Sequence, residues 1–275
     1  MRFSIFVTLA LALTCGTVRA ADETGASPFH IDHPGLKKLS WQLLCQTSTF
    51  PNLSVTQVMD LLHSNDFHHL ELSAGQLLMP TRTKDVKIGP DMAIPQLGIL
   101  QNKLRETHLD IVSYRATDFG HTEADARKLF AFAQSLGVKN IVGAPDLHSL
   151  DMLDRLANEY LINVAILAEP NDNLLRAIKQ RSTRVGVCAD ILEWQRAGQN
   201  PVDGVRKLKG RILEVHLKDG NAPTETAAVA DTLKELAMER FKGPFCVESD
   251  GGSVQGLAAV ANNFSGNVTK LAAMP

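Results

Sequence analysis

From residue 40 onward, short apolar runs alternate with stretches of helical periodicity. Eight of the runs read as strands: Ser40–Thr47, His68–Ser73, Leu109–Tyr114, Asn140–Ala144, Asn163–Ala168, Arg184–Asp190, Ile212–Lys218 and Pro244–Glu248. Most are rich in Val, Ile and Leu without strict alternation. Strands covered on both faces read this way, which favours a parallel sheet.

The intervening stretches carry helix signals. Ser54 is placed to cap a helix bearing Val58, Leu61 and Leu62. Thr122 opens another, with Glu123 and Asp125 in its first turn, where acids complement the helix dipole. That helix presents Leu129, Phe132, Ala133 and Leu136, and Gly137 ends it. Val229, Leu233, Leu236 and Ala237 repeat the spacing later. Eight strand–helix alternations exceed what a small doubly wound sheet needs and match a closed barrel. The predicted fold is therefore an α/β (β/α)8 TIM barrel, one domain over residues 39–275. The stretch Leu78–Met92, with Pro80, Gly89 and Pro90, reads as a long loop over one barrel mouth.

The chain ahead of the barrel reads differently. Arg2 supplies a positive start and Phe6–Leu13 a short apolar run. Val18 and Ala20 occupy the small-residue positions before a cut. Residues 1–20 thus read as a secretory signal peptide, too short for a membrane span. Residues 21–38 read as a polar lead-in. The expected location is periplasmic or secreted, which argues mildly against phosphorylated sugars as substrates. No later apolar run is long enough to form an integral membrane segment.

Composition narrows the function classes. The chain has 28 basic and 30 acidic residues, and losing Arg2 and Arg19 with the leader takes the formal charge from −2 to −4. No basic patch points to nucleic acid. Cys45, Cys188 and Cys246 each sit in a strand-like run, and three cysteines do not make a disulfide framework. They read as small buried hydrophobes. No phosphate-binding glycine loop, nucleophile elbow or paired CxxC motif occurs.

In such a barrel the chemistry gathers at the carboxyl ends of the strands. The polar residues there are Glu71, Arg115, Asp146, Glu169, Asp190, His216 with Lys218 and Asp219, and Glu248 with Asp250. Glu169, Asp190, His216 and Glu248 come from successive late strands. Three carboxylates and one imidazole suit a divalent metal, Mn, Mg or Zn. Two carboxylates could also relay a proton beside a carbonyl. The plain alternative is a network of paired charges and caps around the mouth.

The segment RVGVCADILEWQRAGQNPVDGVRKLKGRILEVHLKD, Arg184–Asp219, resembles the late-strand signature of the xylose-isomerase-like sugar isomerase/epimerase superfamily. That group includes ketose epimerases, hydroxypyruvate isomerase and inosose dehydratase. The matching pieces are Ala197–Pro201, Gly210–Ile212 and His216–Asp219. GPFCVESD resembles the final strand, and DARKLFAFAQSLGVKNIVGAPD the third helix and fourth strand. The resemblance covers roughly Trp41 to Asp250.

It implies that Asp190, His216 and Glu248 are metal ligands, and that Glu248 also moves the proton. Lys218 and Asp219 match the motif's tail, or else cap and pair at the strand end. The sequence also departs from the pattern. Leu167 stands where a fifth-strand ligand is often found, and Glu169 is the candidate replacement, two residues on and on the same strand face. Glu169 is then a candidate for proton transfer as well. Leu192-Glu193 replaces a Gly-His pair, which alters a substrate contact. Ala144 stands where many relatives carry Glu, and the loop after Asp219 is short.

Other residues bear on a sugar ligand. Trp194, near the mouth, is a better stacking candidate than Trp41. Arg115 could take an anionic group or pair with Asp118 or Asp146. Glu71, if it points inward, needs a partner. His121 could line the mouth or face solvent. His68 and His69 lie at the opposite end of the barrel, in surface or structural roles.

The expectation is a metal-dependent enzyme acting on a small carbohydrate by proton abstraction beside a carbonyl: isomerisation, epimerisation or a related elimination. The rival expectation is a metal-free carbohydrate-binding or structural barrel that keeps the motif as a remnant.

Overall fold

A computed structural model describes residues 27–80, 85–219 and 223–274. The leader read in residues 1–20 lies outside the described residues. The eight strands are β1 Gln42–Gln46, β2 His69–Ser73, β3 Asp110–Arg115, β4 Asn140–Gly143, β5 Asn163–Leu167, β6 Val185–Asp190, β7 Ile212–Leu217 and β8 Pro244–Val247. All pairs are parallel, and β8 closes on β1. This is the (β/α)8 barrel expected, with every strand where an apolar run placed it.

The helices, in order, are α1 His33–Leu39, α2 Val55–His63, α3 Ile94–Thr107, α4 Glu123–Leu136, α5 Leu150–Tyr160, α6 Asp172–Lys179, α7 Ile191–Arg196, α8 Pro201–Lys207, α9 Pro223–Met238 and α10 Val254–Ala272. The expected caps form. The Ser54 N–H donates to Gln57 Oε1 at 3.0 Å, and Thr122 Oγ1 accepts from the Asp125 N–H at 3.2 Å. Gly137 ends α4 at φ +73°, a conformation that glycine adopts without steric cost. Among the described residues, no helix is long and apolar enough to cross a membrane.

The lead-in is only partly as expected. Residues 33–39 form α1, with Phe29 and Leu36 buried. Asp32 explains the helix start: one carboxylate oxygen accepts from the Gly35 N–H at 2.9 Å, and the other accepts from Thr269 Oγ1 on α10 at 2.6 Å. Two well-placed apolar side chains and one cap outweigh the polar average of the segment.

Two regions of apolar packing follow from strand alternation. Outward positions such as Leu70, Leu72, Val185, Val187, Val215, Leu217, Phe245 and Val247 meet the helices in one large core. Inward positions form two small clusters, Leu44/Val112/Cys246 and Val142/Ala165/Cys188. The three cysteines are free and buried, as expected.

The rest of the barrel interior is polar, and two register shifts shape it. Glu71 pairs with Ser113 while Leu70 pairs with Ile111, so Val112 is unmatched. Cys188 pairs with Glu214 while Val187 pairs with Ile212, so Leu213 is unmatched. Each bulge lets two consecutive residues reach the interior. Leu213 intrudes where Gly186 leaves room; a Cβ there would collide with the Arg211 carbonyl and the Leu213 side chain.

Candidate active site

Glu71, Glu214 and His216 meet inside the barrel from β2 and β7. Their strands alternate: Leu70 and Leu72, like Val215 and Leu217, face the helices, which turns the polar residues inward. Gln46 Nε2 donates to Glu71 Oε1 at 2.7 Å. Ser113 Oγ and Asn140 Nδ2 donate to Glu214 Oε2 at 2.5 and 2.9 Å. The two remaining oxygens face His216 Nε2, Glu71 Oε2 at 3.5 Å and Glu214 Oε1 at 3.7 Å. On the other side of the ring, Nδ1 lies 2.6 Å from Glu248 Oε1, just past the end of β8.

Above this centre, Lys218 leaves β7 on the same face as His216. Its Nζ is 3.0 Å from Asp190 Oδ2 and 3.9 Å from Glu193 Oε1. Asp190 Oδ1 accepts from the Glu193 N–H at 3.1 Å and so caps α7. Asp219 bridges to the end of β8, accepting from Ser249 Oγ and the Asp250 N–H, each at 3.1 Å. Of the two readings of Lys218 and Asp219, pairing at the strand ends is the one seen.

Electrostatics divide the carboxylates. Burial raises the Glu214 acid above its ordinary range. Burial also pushes Glu248 upward, but the His216 ring, Lys218 and Arg115 outweigh it and hold Glu248 below the usual range. Burial disfavours a charged His216, yet negative neighbours including Glu71 and Glu248 outweigh that and raise its pKa well above the ordinary value. Glu248 is therefore a carboxylate at neutral pH, beside a ring that favours a positive charge.

The expected ligand set is gathered only in part. His216 and Glu248 touch. Asp190 is instead neutralised by Lys218, whose ammonium two residues beyond His216 reaches it first. Glu169 stands past β5 with an exposed side chain, and Leu167 takes the inward position against the Val142/Ala165/Cys188 cluster. The donor atoms that do lie within 4.8 Å of one another belong to Glu71, Glu214, His216 and Cys246. Glu71 was expected to need a partner and has Gln46 and His216. Glu214 escaped the sequence reading because it is mid-strand; its signal was the two-residue step back from His216.

Among the expected substrate contacts, Glu193 is half-exposed and pairs with Arg196 at 2.9 Å. Arg115 lies at the end of β3, close enough to act on Glu248. Asp146 is exposed and caps a short 3-10 turn, accepting from the His148 N–H at 2.9 Å. Trp194 cannot stack on a sugar as expected: it is 1% exposed, it packs on Gly204, and its Nε1 donates to the Ala168 carbonyl at 3.0 Å. Trp41 is likewise core, donating to the Phe241 carbonyl at 2.9 Å. His121 is exposed.

The residues at this centre fit a divalent cation. Glu71 Oε2, Glu214 Oε1 and His216 Nε2 are buried without a hydrogen-bond partner. So many orphaned polar atoms in one place call for an occupant. Two carboxylates, Glu71 and Glu214, and the His216 imidazole form an oxygen-rich set suited to a hard ion, with Glu248 across the ring on its Nδ1 side. The Cys246 sulfur lies within reach of the same donors.

No protein-family model matches the chain, and no curated protein matches it in sequence. Solved structures do match. An uncharacterised protein from Parabacteroides distasonis is 27% identical with a TM-score of 0.69, over 84% of this chain and 98% of that one. A sugar phosphate isomerase/epimerase from the same organism is 13% identical with a TM-score of 0.63, over 84% of this chain and 94% of that one. A xylose isomerase-like TIM barrel protein from Mycobacterium smegmatis, in complex with magnesium, is 15% identical with a TM-score of 0.62, over 86% of this chain and 99% of that one. The chain thus has the fold of the xylose isomerase-like TIM barrels, among them sugar phosphate isomerase/epimerase proteins.

Proposed function

We propose that the barrel mouth is the active site of a metal-assisted sugar isomerase or epimerase, with Glu248 moving a proton at the carbon beside a carbonyl. The observation that carries this is the 2.6 Å contact of Glu248 with His216 at the edge of a buried, under-bonded carboxylate cluster. The magnesium in one structural neighbour and the description of another as a sugar phosphate isomerase/epimerase support the same reading.

Glu71, Glu214 and His216 would hold the cation, with Glu248 across the ring at its edge. Oxygen-rich donors favour Mg or Mn over Zn. When bound, the ion offsets negative charge developing on the substrate's carbonyl oxygen. Glu248, kept ionised by His216, Lys218 and Arg115, takes the proton. Ser113 and Asn140 fix Glu214, and Gln46 fixes Glu71, so the ring between them is held in place. Arg115 and Glu193 at the rim offer polar contacts to sugar hydroxyls. The leader in residues 1–20 would carry this activity out of the cytoplasm, toward free rather than phosphorylated sugars.

A second reading keeps the barrel as a metal-free carbohydrate-binding protein. The engagement of Asp190 by Lys218 and the exposure of Glu169 favour it. One experiment separates the two. The purified protein is incubated in D2O with a panel of ketoses and Mn2+, and deuterium uptake beside the carbonyl is followed by NMR. The enzyme reading expects uptake into one sugar, dependent on metal, and slowed about 10²–10⁴-fold in Glu248→Gln. Binding of a sugar without exchange, in protein that takes up no divalent ion, would favour the second reading. An unchanged exchange rate in Glu248→Gln would remove the proton from Glu248.

A further inference from the structure

We propose that His33, Asp66 and His68 form a second site, for a zinc-class transition metal, on the floor of the barrel opposite the mouth. The three residues come from separate places: the first turn of α1, the turn after α2 and the approach to β2. They nonetheless converge. His33 Nε2 is 3.0 Å from Asp66 Oδ2, and His68 Nε2 is 3.6 Å from Asp66 Oδ1. The two rings stack with centroids 4.2 Å apart and planes 15° apart, so both Nε2 atoms face the same carboxylate. One donor atom from each residue lies within 4.8 Å of the others.

The backbone at Asp66 is shaped to this arrangement. Its φ is +62°, a left-handed conformation that non-glycine residues seldom adopt and Asp tolerates better than most. Its carbonyl also accepts from His33 Nε2 at 3.1 Å, a contact made through the ring proton that a bound ion would replace.

The donor chemistry sets the ligand. Two imidazoles and one carboxylate match the three-protein-ligand pattern of zinc, with a fourth position left open. Nitrogen donors disfavour Mg and Ca. A cavity of about 260 Å³ adjoins the two rings, lined in part by His33, His68 and His69. A bound ion would pin α1 to the α2–β2 turn. The site shares no residue with the mouth and does not depend on the activity proposed there.

Isothermal titration of chelator-treated, full-length protein with ZnCl2 tests the site. The comparison is wild type against His68→Ala, His33→Gln and Glu248→Gln. The expected result is a zinc equivalent, distinct from any taken up at the mouth, whose affinity falls more than about tenfold in both floor variants and is retained in Glu248→Gln. Loss confined to Glu248→Gln, equal binding by all four proteins, or no binding by wild type would overturn the proposal. Imidazole NMR spectra of the wild type give a check independent of variant folding. Substoichiometric zinc should move the His33 and His68 resonances; movement of other histidines alone would also overturn it.

Discussion

Two contacts of nearly equal length stand at opposite ends of this barrel. His216 Nε2 is 3.5 Å from Glu71 at the mouth, and His68 Nε2 is 3.6 Å from Asp66 on the floor. The first pair is fully buried; the side chains of the second are 55% and 72% exposed. A charge pair near 4 Å is worth about 1 kcal/mol in water and about 4 kcal/mol at the effective dielectric of a protein. Histidine–carboxylate contacts of nearly the same length therefore do different work. On the floor, water serves every group, and the cluster is an optional clasp. At the mouth the carboxylates have surrendered their water, so each needs an internal donor, a proton or a cation.

The most severe test of that contrast is His216→Ala. It leaves Glu71, Glu214 and Glu248 facing one another without the ring. Breaking a buried pair costs about 3–5 kcal/mol. Urea unfolding in the presence of chelator should show a loss of that order. A loss no larger than that of a floor variant would erase the distinction between the two ends.

Lys218→Met probes the border between the two regimes. The Lys218–Asp190 pair is mostly buried, with side-chain exposures of 18% and 8%, yet it lies at the rim. The expected loss falls between the exposed and buried limits, about 1–3 kcal/mol. The same variant frees Asp190, so its divalent-cation affinity should rise if Asp190 can join His216 and Glu248. Unchanged affinity would mean that Asp190 serves only Lys218 and the α7 cap.

Glu214→Gln sharpens the comparison through pH. Burial raises Glu214, so its folded pKa exceeds its unfolded one. The stability it contributes is complete below the ordinary carboxylate range and is lost as pH rises through the folded value. Glu248 is lowered, so its contribution has the opposite sign: present above the ordinary range and lost as pH falls through the folded value. In metal-free protein, Glu214→Gln should flatten the decline in stability on the alkaline side and leave the acid limb, to which Glu248 contributes, in place. A change in the acid limb alone would exchange the two assignments.

The fold was legible because the shell between strands and helices obeys simple periods. Val215 and Leu217, or Leu70 and Leu72, announce an outward strand face, and Thr122 or Gly137 marks a helix end by local chemistry alone. The site was legible only where a residue closes a strand, as Asp190, His216 and Glu248 do. Glu214 lies mid-strand, and its partners Ser113 and Asn140 come from strands far away in sequence; nothing local pairs them. The bulges at Val112 and Leu213 that set this register leave no composition signal. Trp194 misled for a related reason. An aromatic residue beside the mouth reads as a sugar platform until Gly204 and the Ala168 carbonyl are seen to enclose it. Asp190 shows the limit of strand-end reasoning: its position was clear, but a cation two residues beyond His216 decided what it binds.

The smallest effect belongs to the floor, and it carries the most weight for the contrast. His68→Ala removes a ring that stacks on His33 in solvent, leaving no unpaired buried charge. Without zinc, its unfolding free energy should match wild type within about 0.5 kcal/mol, as for most surface substitutions. With zinc the two should diverge, because a ligand bound only by the folded state adds stability that grows with its concentration. Thermal melts at rising zinc concentration would then separate wild type from variant from an almost common origin. A large difference before any zinc is added would mean that the floor cluster is tightly coupled to the fold, as the mouth is, and that exposure does not set the worth of a histidine–carboxylate contact in this barrel.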